Sequence, residues 1–190
     1  MRNSALRHVP NVLTALRLVA APATAVLVAE GHFSAAFGLF AFAGLSDAAD
    51  GYLAKRFGLT TRLGRLLDPA ADKALMVALF VTLALLGFVP AWLAAAIIGR
   101  DLLIVTGLAI ALASGAPIAI RPLFIGKVST ALQVIYIGLH LASLAFDFEL
   151  GSLVPADAYG LAAVTFLSVA GYGWVWLNAM RAGAAAGRRA

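Results

Sequence analysis

Cysteine is absent from the 190 residues, and charge is scarce, with Asp, Glu, Lys and Arg making up 12% of the chain. Without thiols there is no disulfide framework, no thiolate nucleophile and no Cys-bound zinc or iron–sulfur centre. Any metal has to be held by oxygen or by His8, His32 or His140, and oxygen ligands suit magnesium, calcium or manganese. The shortage of charge, set against 63% hydrophobic residues, excludes a water-soluble globule, which at this size has too little interior to hide so much apolar surface. Acidic residues are the scarcer sign, 9 against 14 basic, for a formal net charge of +5. A basic balance can signal nucleic acid, but no basic groove or aromatic platform can form outside the apolar segments, so nucleic acid is not an expected partner.

What is present is a set of apolar runs, each near the roughly 20 residues that a membrane span needs. They cover about Val12 to Ala29, Phe33 to Leu53, Leu66 to Phe88, Ala91 to Ala113, Val128 to Phe146 and Ala158 to Met180. Ala and Leu dominate and no strand-like alternation appears, so the expected fold is all-α, an integral membrane protein of six transmembrane helices. Breaks fall at Glu30 to His32, Gly87 to Pro90, Gly115 to Pro117 and Asp147 to Pro155, each carrying a helix breaker or a charge. The first run is longer than a signal-peptide core and is expected to be a span. Met1 to Val9 is expected to lie as a short interfacial segment. Residues 1–182 read as one membrane domain and residues 183–190 as a basic, disordered tail.

Basic residues sit on one side of this arrangement. Arg2, Arg7, Lys55, Arg56, Arg62, Arg65, Arg121, Lys127, Arg181, Arg188 and Arg189 fall at the N-terminus, the second and fourth loops and the tail. The first, third and fifth loops lack them, and Glu30, Asp147, Glu149 and Asp157 lie in or beside the first and fifth. Because short cytoplasmic loops collect Lys and Arg, both termini are expected in the cytoplasm, in a bacterial inner membrane, with a basic face toward anionic lipid.

Four of the remaining five acids cluster. Asp47-Ala48-Ala49-Asp50-Gly51 closes the second span, and Gly64-Arg65-Leu66-Leu67-Asp68-Pro69-Ala70-Ala71-Asp72 opens the third. Spacings of three and four put each pair on one helix face, and a short loop brings the four carboxylates toward one layer. Four anions there repel unless cations neutralise them, so divalent metal is the simplest solution. The structural alternative is pairing with Lys55, Arg56, Arg62, Arg65 and Lys73 at headgroup level. Gly51 and Gly64 leave room for close approach of a ligand or helix, and Pro69 is expected in the first turn of its helix, where a missing donor costs little. An ion or proton pathway is a competing class of function, but it needs polar groups from face to face. The outer half of every span is nearly all Ala, Val, Leu, Ile, Phe and Gly, which suits an enzyme acting on lipid at one leaflet.

The pattern Asp47-x2-Asp50-Gly51-x2-Ala54-Lys55-x8-Gly64-x3-Asp68-x3-Asp72 resembles the signature of the CDP-alcohol phosphotransferases, six-span membrane enzymes that displace CMP from a CDP-linked donor by attack of an alcohol. The resemblance implies that Asp47, Asp50, Asp68 and Asp72 hold two divalent ions, Mg2+ or Mn2+, with Asp72 also the general base. It implies that Gly51 and Ala54 face the cytidine, with Gly64 also at the donor, that Lys55 meets the donor phosphates, and that Asn11, Thr14 and Arg17 form the opposite wall. A homodimer is expected. One departure is visible: the family usually has Arg after the Ala, where this chain has Lys55 followed by Arg56, and lysine cannot make the forked contact of a guanidinium.

The acceptor is expected to be recognised by basic groups outside the aspartate cluster, with Arg100, Arg121 and Lys127 as candidates. Arg100, in Gly99-Arg100-Asp101, lies far along the fourth span, where an unpaired guanidinium is costly, so it must face the interior and meet an anion, either a substrate or an aspartate. The stretches Phe40 to Asp47, Gly99 to Asp101 and Phe124 to Gln133 resemble the eukaryotic-type cardiolipin synthase branch of the family, which transfers a phosphatidyl group from CDP-diacylglycerol to phosphatidylglycerol. The runner-up branch uses glycerol 3-phosphate and typically follows the fourth-span Arg with Glu.

Overall fold

The computed structural model describes the backbone at residues 18–57, 62–113, 123–150 and 153–187, and side chains at 18–46, 72–107, 109–110, 123–150 and 157–178. Every regular element among the described residues is a helix: α1 (Leu18–Ala29), α2 (Phe33–Phe57), α3 (Arg62–Leu85), α4 (Ala91–Ala113), α5 (Phe124–Phe146) and α6 (Leu153–Gly187). The interfacial segment expected at Met1 to Val9 lies outside the described residues. Expected and observed limits coincide at both ends of α4, at the start of α2 and at the end of α5. At most of the other ends the helices outrun the apolar runs: α3 begins at Arg62 instead of Leu66, α5 at Phe124 instead of Val128 and α6 at Leu153 instead of Ala158, whereas α3 stops at Leu85, short of Phe88. Backbone hydrogen bonding continues until a breaker stops it, whereas hydropathy stops at the first charges.

Two expectations need correcting for that reason. Pro69 lies in the third turn of α3, not the first. Having no N–H, it leaves the Arg65 carbonyl without its helical partner, at a cost of about 3 kcal/mol in an isolated helix. The tail expected from Gly183 is helical as far as Gly187, in keeping with the high helix propensity of Ala184, Ala185 and Ala186.

Helices α1, α3 and α5 end alike. Gly31 and Gly87 take φ of 78° and 81°, and Asp147 takes 52°. The His32 N–H donates to the Leu27 carbonyl (2.8 Å), Phe88 to Leu83 (2.9 Å) and Phe148 to Ser143 (3.2 Å). These six-to-one bonds satisfy carbonyls that a helix end would otherwise expose, and the left-handed residue reverses the chain.

Packing divides the chain into two units. The first holds α1, α2, α3 and α5 from Ile135 onward; the second holds α4, α5 as far as Val134, and α6. In the first unit Val28, Ala36, Phe40, Leu79, Phe80, Leu83, Ile137 and Leu141 are buried together. Phe33 meets Phe88 edge-on at 5.6 Å, Phe37 meets Phe146 at 5.5 Å, and the Ser34 hydroxyl donates to the Ala145 carbonyl. The start of α2 therefore lies beside the ends of α3 and α5, and α2 runs antiparallel to both.

In the second unit α4 and α6 run parallel and in register. Trp92 stacks on Tyr159 (5.4 Å), Arg100 bonds Ser168, and Gly107 lies flush against Trp176. A parallel pair with α5 between them in sequence is what alternating spans require. Outward faces are apolar: Leu102, Val105, Phe124, Phe166 and Trp174 are all more than half exposed. Among the described residues, α5 and Asp157–Asn178 of α6 are long and apolar enough to cross a membrane. The interior, by contrast, holds polar groups satisfied locally, as where the Thr24 and Thr165 hydroxyls donate to the carbonyls of Ala20 and Leu161.

Candidate active site

Two continuous helices carry the aspartates, Asp47 and Asp50 near the end of α2, Asp68 and Asp72 in the first half of α3. The contact of Phe33 with Phe88 sets the register between them. Counting at 1.5 Å per residue from the helix ends beside that contact, Phe33 of α2 and Leu85 of α3, Asp47 and Asp72 both stand about 20 Å along, and Asp50 and Asp68 about 25 Å along. The antiparallel pair thus brings the four positions into two adjacent levels. That end of the unit lies away from Glu30, Asp147 and Glu149, which flank the Phe33 end. Gly51, Ala54 and Lys55 follow in the last turns of α2, and Gly64 lies in the first turn of α3.

Among these residues only Asp72 has a described side chain, and it is half-buried. Among the described residues no three potential ligand side chains gather into a metal site. The donor set still fits divalent metal, because both pairs lie on unbroken helix at spacings that share a face and supply only hard oxygen ligands. His140, the one buried histidine among the described residues, is engaged elsewhere: its Nδ1 lies 2.9 Å from the Tyr136 carbonyl and its ring 4.2 Å from the Tyr136 ring. Asn11, Thr14, Arg17 and Arg121 lie outside the described residues.

Arg100 is 5% exposed, and its guanidinium is held by residues from three helices. Nε and Nη2 donate to the Ser168 hydroxyl at 3.2 and 2.8 Å, Nη1 donates to Asp101 at 2.6 Å, and Nη2 reaches the Gly126 carbonyl at 3.4 Å. The Tyr172 ring lies 6.0 Å from Cζ. The anion that α4 demanded is its own neighbour, Asp101, and one N–H of Nη1 is left without a partner among the described residues. Lys127 follows Gly126 and is exposed. Ser168 and Tyr172 were not anticipated, since a lone hydroxyl in an apolar span carries no sequence signal. Their spacing of four, on one face of α6, is visible only in retrospect.

Comparison with known proteins bears out the family resemblance. Residues 7–172 match the CDP-alcohol phosphatidyltransferase family profile. A cardiolipin synthase (CMP-forming)/mitochondrial hydrolase fusion protein of Schizosaccharomyces pombe is 34% identical over 178 residues, 86% of this chain and 30% of that protein. Human cardiolipin synthase (CMP-forming) is 33% identical over 156 residues, 74% of this chain and 52% of that protein. A probable phosphatidylglycerophosphate synthase of Mycobacterium tuberculosis is 34% identical over 160 residues, 80% of this chain and 75% of that one. The chain spans about half or less of the length of the cardiolipin synthases it matches. A profile match over most of the chain, residues 7–172, makes this protein a member of the CDP-alcohol phosphatidyltransferase family.

Proposed function

We propose that this protein is a six-span enzyme of a bacterial inner membrane, with both termini and the active site cytoplasmic, that transfers a phosphatidyl group from CDP-diacylglycerol to phosphatidylglycerol, giving cardiolipin and CMP. Residues 1–182 act as one catalytic domain, and the family resemblance supports a homodimer. Arg100 carries the choice of acceptor: it is a buried cation in a helical unit whose outer faces are apolar, so a lipid can bring its phosphate sideways while its chains stay in hydrocarbon. Two of the relatives named above are cardiolipin synthases.

Asp47, Asp50, Asp68 and Asp72 would hold two divalent ions, Mg2+ or Mn2+, whose chemistry when bound is charge neutralisation at the donor pyrophosphate. Gly51 and Ala54 face the cytidine, with Gly64 also at the donor, Lys55 meets the donor phosphates, and Asn11, Thr14 and Arg17 complete the donor wall. Arg100, Arg121 and Lys127 bind the acceptor phosphate. Asp72 takes the proton of the terminal glycerol hydroxyl as its oxygen bonds to the phosphatidyl phosphorus; the bond from that phosphorus to the CMP oxygen breaks, and CMP leaves.

A second acceptor, glycerol 3-phosphate, is favoured by the Mycobacterium relative's name. Purified protein given CDP-diacylglycerol and each acceptor in turn, with lipids read by mass spectrometry, separates the two. Cardiolipin from phosphatidylglycerol is expected. Efficient use of glycerol 3-phosphate with phosphatidylglycerol inert overturns the acceptor assignment and leaves the aspartate site standing.

A further inference from the structure

Both candidate acceptors present a phosphate monoanion or dianion, and the proposed function gives that phosphate to Arg100 and Lys127. The inference that follows rests on that assignment. Arg100 has five N–H donors; Ser168 takes two, Gly126 one and Asp101 one. Asp101 also offsets the guanidinium charge at 2.6 Å. Among the described residues, what Arg100 can offer an acceptor is therefore one directed N–H on Nη1, and its value depends on how rigidly the other edge of the fork is held. That edge is held by Ser168, which is fully buried.

One turn along the same face of α6, the Tyr172 hydroxyl lies 3.4 Å from the Leu123 N–H, just before α5 begins, and accepts from it. Its ring also lies under the guanidinium. A Cβ at Gly126 would stand 3.0 Å from the Tyr172 hydroxyl and 3.1 Å from Nη2 of Arg100, so α5 starts in contact with both, and Lys127 is the next residue. The Gly126 carbonyl is shared between Arg100 and the Thr130 hydroxyl. A single pair of α6 side chains thus fixes the direction of Arg100 and the position of the α5 turn that carries Lys127.

We infer that Ser168 and Tyr172 are positioning residues for the acceptor phosphate, holding Arg100 and the first turn of α5 in the geometry that recognises it. The hydroxyl of each does the positioning, and neither touches the substrate.

The test is steady-state kinetics of the purified full-length protein with CDP-diacylglycerol and phosphatidylglycerol, varied separately, and with glycerol 3-phosphate as a second acceptor. Ser168→Ala removes a hydrogen-bond acceptor from a buried cation and is expected to raise the acceptor KM roughly tenfold, leave the donor KM within twofold, and be rescued by Ser168→Thr. Arg100→Lys, which cannot be gripped along a fork, is expected to raise the acceptor KM at least as much, and Ser168→Ala added to it should cost little more. Tyr172→Phe keeps the ring, loses the hydroxyl and should move the acceptor KM in the same direction; it decides the matter if Ser168→Ala does not fold. An acceptor KM unchanged by Ser168→Ala or, in its place, Tyr172→Phe, while Arg100→Lys raises it, overturns the positioning role alone. An acceptor KM unchanged by Arg100→Lys removes the acceptor assignment itself. Equal rises in donor and acceptor KM would mark Ser168 as a general packing residue and overturn the inference.

Discussion

Replacing a carboxylate by its amide keeps the shape and removes the charge, so Asp47→Asn, Asp50→Asn and Asp68→Asn isolate what the anions contribute. Each is expected to lower CMP release by more than the roughly 10–100-fold that outer partners of metal ligands cost, while insertion into the membrane is unchanged. Excess chelator should stop the wild-type protein in the same assay. Robust turnover by the Asp68 variant, or in chelator, would remove metal from the site. Lys55 calls for the opposite kind of test, because a point charge stands where a fork is usual. Lys55→Arg should keep activity and tighten donor binding, and Lys55→Ala should raise the donor KM. If Arg56→Ala raises it more, the phosphate contact belongs one residue further on.

At the scale of helices, the parallel packing of α4 and α6 depends on one absent side chain. A Cβ on Gly107 would overlap the six-membered ring of the Trp176 indole, and that ring is rigid. Gly107→Ala must therefore push α4 from α6 or turn the indole out of place, at about 1–3 kcal/mol. Thermal unfolding in detergent should show the loss, and Trp176→Leu in the same chain should return part of it. Equal midpoints for Gly107→Ala and wild type would mean that the helices close by another contact. The same logic makes Gly126→Ala a test of the α5 start, since the added methyl would meet Tyr172 and Arg100.

For the whole molecule, the absence of cysteine is an experimental advantage, since each introduced thiol is the only one. If helices alternate across a bacterial inner membrane, Glu30→Cys and Asp147→Cys should react with a membrane-impermeant maleimide on intact spheroplasts. Arg56→Cys and Arg188→Cys should react only after permeabilisation. Labelling of Glu30→Cys and Arg56→Cys from the same side would break the six-span topology, whatever the chemistry of the aspartates. The antiparallel course of α2 against α3 and the parallel course of α4 with α6 both favour alternation, each within its own unit.

Local chemistry determined what was legible in the sequence. Apolar runs and breakers are properties of neighbouring residues, so the six helices and the turns at Gly31 and Gly87 could be located without a fold. The spacing of Asp47 with Asp50 and of Asp68 with Asp72 is a property of one helix at a time, and so was its shared face. Helix ends were less legible, because hydropathy marks where charge begins and hydrogen bonding runs past it; Pro69 fell in the third turn of α3 for that reason. Tertiary structure alone decided the level at which the two aspartate pairs meet, since that depends on the register of Phe33 against Phe88. It alone chose Ser168, 68 residues away, to hold Arg100. A hydrogen bond between helices is set by their crossing and axial register, and a serine in an apolar span has the same local sequence whether it faces a guanidinium or lipid.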